Sequence, residues 1–211
     1  MSLEDTMDTY DIKKAHPALY APKPGDWHVV EVPELQFLQV DGHGDPNTST
    51  TYTEAVEALF SLSYAVRAAA RDDLGRVHVV GPLEGVWSAE DPRDFVERNK
   101  SAWDWTMMIA QPAWITLALV ETAMAKAAKK TLPGLERVRF SPYTEGRSAQ
   151  VLHVGSYDDE APTLRRLHDE YLPAHQLTFN GRHHEVYLSD PRRTAADKLR
   201  TVLRQPVTDA S

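Results

Sequence analysis

Apolar and polar side chains alternate with a period of two in several stretches of this chain, and between them lie stretches with helical spacing. Trp27 to Val32 and Leu35 to Val40 read as strands, separated by Pro33. Asp41 to Asn47 is a dense turn cluster. Tyr52 to Ala70 has helical period, with Val56, Leu59, Phe60 and Ser63 on one stripe, Thr50 or Thr51 as N-cap and Gly75 as the stop. Val77 to Gly81 and Val86 to Ala89 read as short strands around a Pro82-Leu83-Glu84-Gly85 turn. Asp91, followed by Pro92, predicts a helix through Phe95, Asn99, Ala102 and Trp103. Thr116 to Lys130 predicts a further helix, with lysines at its end to suit the dipole. Arg137 to Tyr143 and Arg147 to Val154 read as strands joined through Glu145-Gly146. The next helix carries a stripe of Leu164, Leu167, His168, Tyr171 and His175. Gly181 opens a strand that Ser189-Asp190-Pro191 stops, and Thr201 to Val207 is a last strand, placed at a sheet edge by Pro206.

This order repeats. Strand, Gly/Asp turn, helix, strand, strand runs from Phe37 onward and again from Val151 onward, which predicts an α+β fold of two duplicated strand–helix–strand–strand modules. The two would form a sheet with a concave aromatic cleft, with a helical insertion between the halves. The expected boundaries are an N-terminal arm at 1–26 and one domain at 27–211. Within it the first half spans about 27–90, the insertion about 91–135 and the second half about 136–207. The arm has room for one helical turn, around Asp11 to Ala15.

Composition narrows the function. With 211 residues, 42% of them hydrophobic, the chain can bury a core. It has no cysteine, which excludes disulfides, thiolate metal sites and cysteine nucleophiles. Acidic residues outnumber basic ones by 31 to 23, so no nucleic-acid partner is expected; the basic C-terminal residues, such as Arg192, Arg193 and Lys198, fit a solvated face. The acidic N-terminus is not a secretory signal and no apolar run spans a bilayer, so no membrane association and a cytoplasmic location are expected.

Candidate chemistry concentrates on His183 to Leu188. Alternation puts Val186 and Leu188 on one face and His183, Glu185 and Tyr187 on the other. A carboxylate between an imidazole and a phenol is a setting for a general base or a cation contact, although a half-exposed strand with a polar outer face has the same pattern. If Leu38, Val40, Leu152, Val154, Val186 and Leu188 face the helices, then Phe37, Gln39, Val151, His153, Glu185 and Tyr187 face the cleft. Trp87, Trp103, Trp105 and Trp114 fall in or near its first half, with Tyr143 and Tyr157 at strand or loop ends in the second. His183, Glu185 and His153 lack zinc-motif spacing, and no metal is expected. No Gly-x-Ser-x-Gly nucleophile occurs. A glycosidase pair of Glu185 with Glu145 or Glu84 is undecided by spacing.

Four stretches carry a resemblance. They are Val32 to Leu38 with Asp41 to Asn47, Gly81 to Trp87, Gln150 to Tyr157, and His183 to Arg193 with Lys198 to Val207. Together they resemble the GyrI-like small-molecule-binding family, in its stand-alone branch related to the effector domains of multidrug-sensing regulators. The resemblance runs from about residue 10 onward. It implies an aromatic cleft with a carboxylate at Glu185. In the regulators that glutamate faces lipophilic cations, and in some stand-alone members the cleft hydrolyses the cyclopropane of yatakemycin- and duocarmycin-type alkylating compounds. One position departs: Ser88 stands where similar proteins often have a second Trp.

The expected function is therefore a cofactor-independent hydrolase of activated cyclopropanes, serving self-protection or detoxification. Glu185 would be the general base and Tyr157 the proton donor, with Tyr143 and Tyr187 as other donors. Phe37, Gln39, Trp87, Trp105, Trp114, Tyr143, His153 and Tyr187 would hold a flat aromatic ligand. A non-catalytic binder of aromatic or cationic molecules is the alternative. A regulator acting by surface contact with a protein partner, as for the family's namesake gyrase inhibitor, comes third.

Overall fold

The computed structural model describes residues 9–22, 24–91 and 99–210. Two short helices, α1 (Ile12–Ala15) and α2 (Pro17–Tyr20), precede strands β1 (His28–Val32) and β2 (Leu35–His43). Helix α3 (Thr50–Leu74) starts at Ser49, whose hydroxyl accepts from Tyr52 N, and stops at Gly75, which takes the left-handed conformation. β3 (Leu83–Ala89), β4 (Trp103–Gln111) and α4 (Leu117–Ala127) follow, then β5 (Arg139–Tyr143) and β6 (Gly146–Val154). Helix α5 (Ala161–Arg166) continues through a π turn, Leu167–Tyr171, into α6 (Leu172–Ala174). The chain ends with β7 (Leu177–Phe179), β8 (His183–Tyr187) and β9 (Arg200–Asp209).

The sheet order is β1-β6-β9-β8-β3-β4-β2-β5, with β7 paired to β9. The two modules are β2–α3–β3–β4 and β6–α5/α6–β8–β9, joined where β3 pairs antiparallel with β8. Their lead strands are exchanged. β1 pairs with β6 of the second module, and β5 pairs with β2 of the first. The register is unbroken from His28 opposite Gln150 through Leu35 opposite Tyr143 to Gln39 opposite Arg139. Thus β1–β2 and β5–β6 are long strands that bend together at Pro33 and at Glu145-Gly146. Because β2 also pairs with β4 and β6 with β9, the hydrogen-bonded circuit closes on itself.

Register also assigns the faces. Leu38, Ile109, Leu83, Tyr187, Thr201 and His153 lie in one row; Val40, Met107, Gly85, Glu185, Leu203 and Val151 lie in the next. Helix α3 covers the first half of this face through Leu59, Leu62 and Val66. Leu167 and Leu172 cover the second half, over Ala149, Val151 and Leu203. Both helices therefore sit on the same side of the sheet. The opposite face gathers Phe37, Val86, Met108, Leu152, Val186 and Val202 around Ile12, Leu19 and Tyr20 of the arm.

A charged network is buried on that opposite face. Tyr20 donates to Glu84 Oε1 at 2.8 Å, and His184 Nε2 lies 3.0 Å from Glu84 Oε2. His184 Nδ1 is 2.8 Å from Glu145 Oε2, which also accepts from Arg204 at 3.1 Å. Arg204 further donates to Leu19 O and Gln150 Oε1, which ties the arm to the sheet. Burial alone would lower the His184 pKa, but Glu145 and Glu84 outweigh it and raise it to about 9. Burial alone would raise Glu145, but His184 and Arg204 hold it down at about 2. Glu84 and Glu145 thus carry structural ion pairs and do not form a carboxylate pair with Glu185.

Several local readings change. Trp103 to Gln111 is a strand, not part of the helical insertion, which shortens to α4 and its 3₁₀ extension Ala128–Lys130. β4 lies between β2 and β3 and is buried from Trp105 to Gln111, so it shows no alternation. Val77 to Gly81 makes only an isolated bridge, His78 to Tyr10, and the strand is Leu83–Ala89. β2 runs on to His43, three residues into the expected turn cluster. β9 is central rather than an edge, with Pro206 opposite Ser148. The π turn adds a residue, so Leu167 and Leu172, five apart, face the sheet while His168 and His175 are exposed. The helix expected from Asp91 through Phe95 lies largely outside the described residues; Ala102 is in a 3₁₀ turn and Trp103 begins β4.

Candidate functional site

The central pair of strands, β3 and β8, places Glu185 opposite Gly85. A Cβ at Gly85 would stand 2.8 Å from Trp87 Nε1, so only glycine lets the indole fold over this spot. Trp87 Nε1 donates to the Tyr187 hydroxyl at 3.1 Å, and that hydroxyl donates to Glu185 Oε2 at 2.6 Å. On the other side His183 Nε2 lies 3.4 Å from Glu185 Oε1. The Glu185 side chain keeps 15% of its surface accessible.

Aromatic rings from both modules converge over this carboxylate. Tyr52 at the start of α3 stacks on Trp87 with centroids 6.4 Å apart and meets Trp105 edge-on at 5.2 Å. Tyr157, ahead of α5, meets Tyr187 edge-on at 5.6 Å. Trp103 meets Trp87 at 5.7 Å, and Lys100 lies 5.9 Å from the Trp103 ring and 3.9 Å from Asp158. Burial, then Glu185, raises both the Tyr52 and Tyr187 hydroxyls above the usual phenol range. Burial, then Glu160 and Glu185, pushes Tyr157 up to about 12. All three phenols stay protonated at neutral pH and can act only as donors or as acceptors through oxygen.

The expected site residues separate into two groups. Glu185, Tyr187, Tyr157 and Trp87 are brought together. Trp105 backs this wall through Tyr52 but is 1% exposed; its ring fills the space over Gly42, where a Cβ would be 2.0 Å away. Phe37, Gln39 and Tyr143 lie on the opposite face. Phe37 packs against Tyr143, and Gln39 is bonded to Arg139 and Ser141 O. Leu38 and Val40 pack under helix α3 as expected but share the Glu185 face, so the expected cleft set is one residue out of phase on β2. The recess lies on the helix side of the sheet, not opposite it, and Leu152 and Val186, expected against the helices, face the other way. On β6 the expected set was in phase: Val151 and His153 share the face. His153, however, is separated from β8 by β9 and turns to Ser156 O and Thr163. Trp114 packs away from the cleft, on His78 and under Arg76. Ser88 follows Trp87 on β3, and alternation turns it to the opposite face. Tyr52 and Glu160 were not anticipated as site residues. Tyr52 continues the Val56 stripe by one helical turn, which is a signal the sequence did contain. Glu160 is 6% exposed and sits in an acidic run that reads as a helix cap. Among the described residues no group of three or more His, Asp and Glu side chains is placed to hold a metal.

A duplicated α+β frame whose two helices flank an aromatic recess around one carboxylate is a small-molecule-binding module. Residues 26–208 match the GyrI-like small molecule binding domain, and the chain belongs to that family. An uncharacterized conserved protein from Listeria innocua is 35% identical with a TM-score of 0.87, covering 95% of this chain and 100% of its own. A Listeria innocua protein described as a hydrolase is 33% identical with a TM-score of 0.82, over 95% and 100% of the two chains. The EcmrR C-terminal domain is 10% identical with a TM-score of 0.56, over 88% of this chain and 98% of that one, and shares the fold. No curated protein matches the sequence. No helix among the described residues is long and apolar enough to cross a membrane.

Proposed function

We propose that the recess is the active site of a cofactor-independent hydrolase that opens an activated cyclopropane in a flat aromatic compound of the yatakemycin or duocarmycin kind. The observation that carries this is the Glu185 carboxylate, held by Tyr187 on one oxygen and walled by aromatic rings from both modules. Support comes also from the family and from the Listeria protein described as a hydrolase. Water attacks the ring methylene as Glu185 takes its proton. The breaking C–C bond sends its electrons through the dienone to the carbonyl oxygen, and a phenolate forms. Tyr187 is committed to Glu185, which leaves Tyr157, 38% exposed, as the donor to that oxygen. Tyr52 and Trp87 hold the flat ring system.

Incubation with a duocarmycin-type cyclopropane, followed by ligand mass and tryptophan fluorescence, tests this. Gain of one water by many equivalents of ligand per protein is expected. Fluorescence quenching with an unchanged ligand would instead support the second reading, a binder that sequesters aromatic or cationic molecules. The family description, small molecule binding, favours that reading. In it Glu185 is a counter-charge and the indoles supply cation–π contacts.

A further inference from the structure

We infer that His183 acts through Glu185, taking from it the proton removed from water and passing that proton to solvent. The inference rests on the hydrolase reading. Glu185 Oε2 already accepts from Tyr187 at 2.6 Å, so the oxygen left for the water proton is Oε1. Oε1 is the atom that faces His183 Nε2 at 3.4 Å. That nitrogen is buried and has no hydrogen-bond partner among the described residues. An imidazole nitrogen buried without a partner costs free energy unless a proton or a ligand comes to it. The His183 side chain is 17% exposed and so reaches both the acid and the surface.

The path continues outward. His168, on the π turn, is exposed and packs on Phe179 with centroids 4.8 Å apart. Burial, then the nearby His183, lowers the His168 pKa, against a smaller opposing effect of Asp169. Among the described residues, the charged groups that bear on His183 are Glu185 on its own strand and His168 on the π turn.

The step balances. The O–H bond of the attacking water breaks and its proton goes to Oε1, then to Nε2. The imidazolium sheds the proton on its other nitrogen, Nδ1, to solvent, and exchange with water restores the starting tautomer. The phenolate formed by C–C cleavage takes a proton from Tyr157, and Tyr157 is reprotonated from solvent. One water is added to the substrate and nothing is oxidised or reduced. Without His183 the first turnover proceeds, but Glu185 stays protonated and the next is delayed.

The test compares the wild-type chain with His183→Gln and His183→Asn on a duocarmycin-type cyclopropane, under protein excess and under substrate excess. Melting curves check that the variants fold. The first turnover is expected within about 3-fold of wild type. Steady-state kcat falls by about 10²-fold, KM falls with it, and added imidazole restores the rate. An unchanged steady-state rate, or an equal slowing of the first turnover, overturns the relay. A second readout needs no turnover: the nitrogen resonances of His183 are titrated in wild type and in Glu185→Gln. A shifted midpoint is expected, and an unmoved one overturns the proton-sharing contact. A wild-type protein that adds no water sinks the hydrolase reading, while the titration still decides whether His183 and Glu185 share a proton.

Discussion

Glu185 has one oxygen engaged and one open, and this asymmetry separates two roles for the same side chain. Replacing it with Gln keeps the shape and removes the basicity. If it is the base, turnover of the cyclopropane falls by about 10²–10⁴-fold while binding of a neutral aromatic survives. If it is a counter-charge, lipophilic cations bind more weakly and neutral compounds are spared, which isothermal titration of both ligand types would show. Trp87 calls for a different variant than an indole lining an open cleft would. At 5% exposure, with Tyr52 stacked on it, Trp87→Ala costs about 3–5 kcal/mol of stability and obscures any effect on the ligand. Trp87→Phe keeps a ring but deletes the donor to the Tyr187 hydroxyl. It is expected to lower kcat several-fold with a smaller loss in melting temperature; equal kcat would show that the Trp87–Tyr187–Glu185 chain is not used. Alternation alone made His183, Glu185 and Tyr187 legible as one face, because a strand fixes it. It could not say which β2 face matches that one. That depends on pairing through β4 and β3, which is why Phe37 and Gln39 were misplaced.

Elements were legible where one side is wet and obscure where both sides are buried. Helix α3, with its stripe and Gly75, and the half-exposed strand β1 follow from pattern. β4 does not, because neighbouring strands and packing on both faces remove the alternation. β9 was legible as a strand, but Pro206 pointed to an edge where the strand is central. The arm was expected to hold one turn around Asp11 to Ala15. It holds two short helices because Tyr20, Leu19 O and Ala18 O bond to Glu84, Arg204 and Gln150 across the sheet. No local signal announces such partners. The network makes stability depend on pH. His184 has its pKa raised from 6.5 to about 9, so its contribution is complete below pH about 6.5 and is lost as pH rises through 9. Glu145 is lowered from 4.5 to about 2, so its contribution is present above pH 4.5 and is lost as pH falls through 2. The melting temperature is expected to drop between pH 6.5 and 9.5, where exposed carboxylates no longer titrate. A flat profile over that interval would mean that His184 is not charged in the folded protein. Tyr20→Phe, which withdraws one donor from the buried Glu84, is expected to lower the melting temperature at pH 6.5.

The duplication was visible as a repeated order of elements, but the exchange of lead strands was not, since pairing partners 100 or more residues apart leave no local mark. That exchange determines how the molecule unfolds. Trp27, just ahead of β1, packs with Leu167, Leu172 and Leu203 of the second module and donates its indole N–H to Thr163 O at 3.2 Å. β1 likewise completes its ladder only on β6, and β5 only on β2. Neither module keeps its edge paired, or its core covered, once the other opens. The join through β3 and β8 runs beneath the site, so loss of either half also dismantles the recess. Two modules side by side with separate cores would instead melt in two steps. The expectation is one cooperative transition despite the length of the chain. Four of the five tryptophans, Trp87, Trp103, Trp105 and Trp114, report on the first module and Trp27 on the second, so fluorescence weights the first module, while far-ultraviolet circular dichroism reports on both. In a urea titration the two signals should coincide, with one midpoint and one slope. Fluorescence that changes before the circular dichroism would show the first module unfolding alone, and the exchanged strands would then not be what couples the halves.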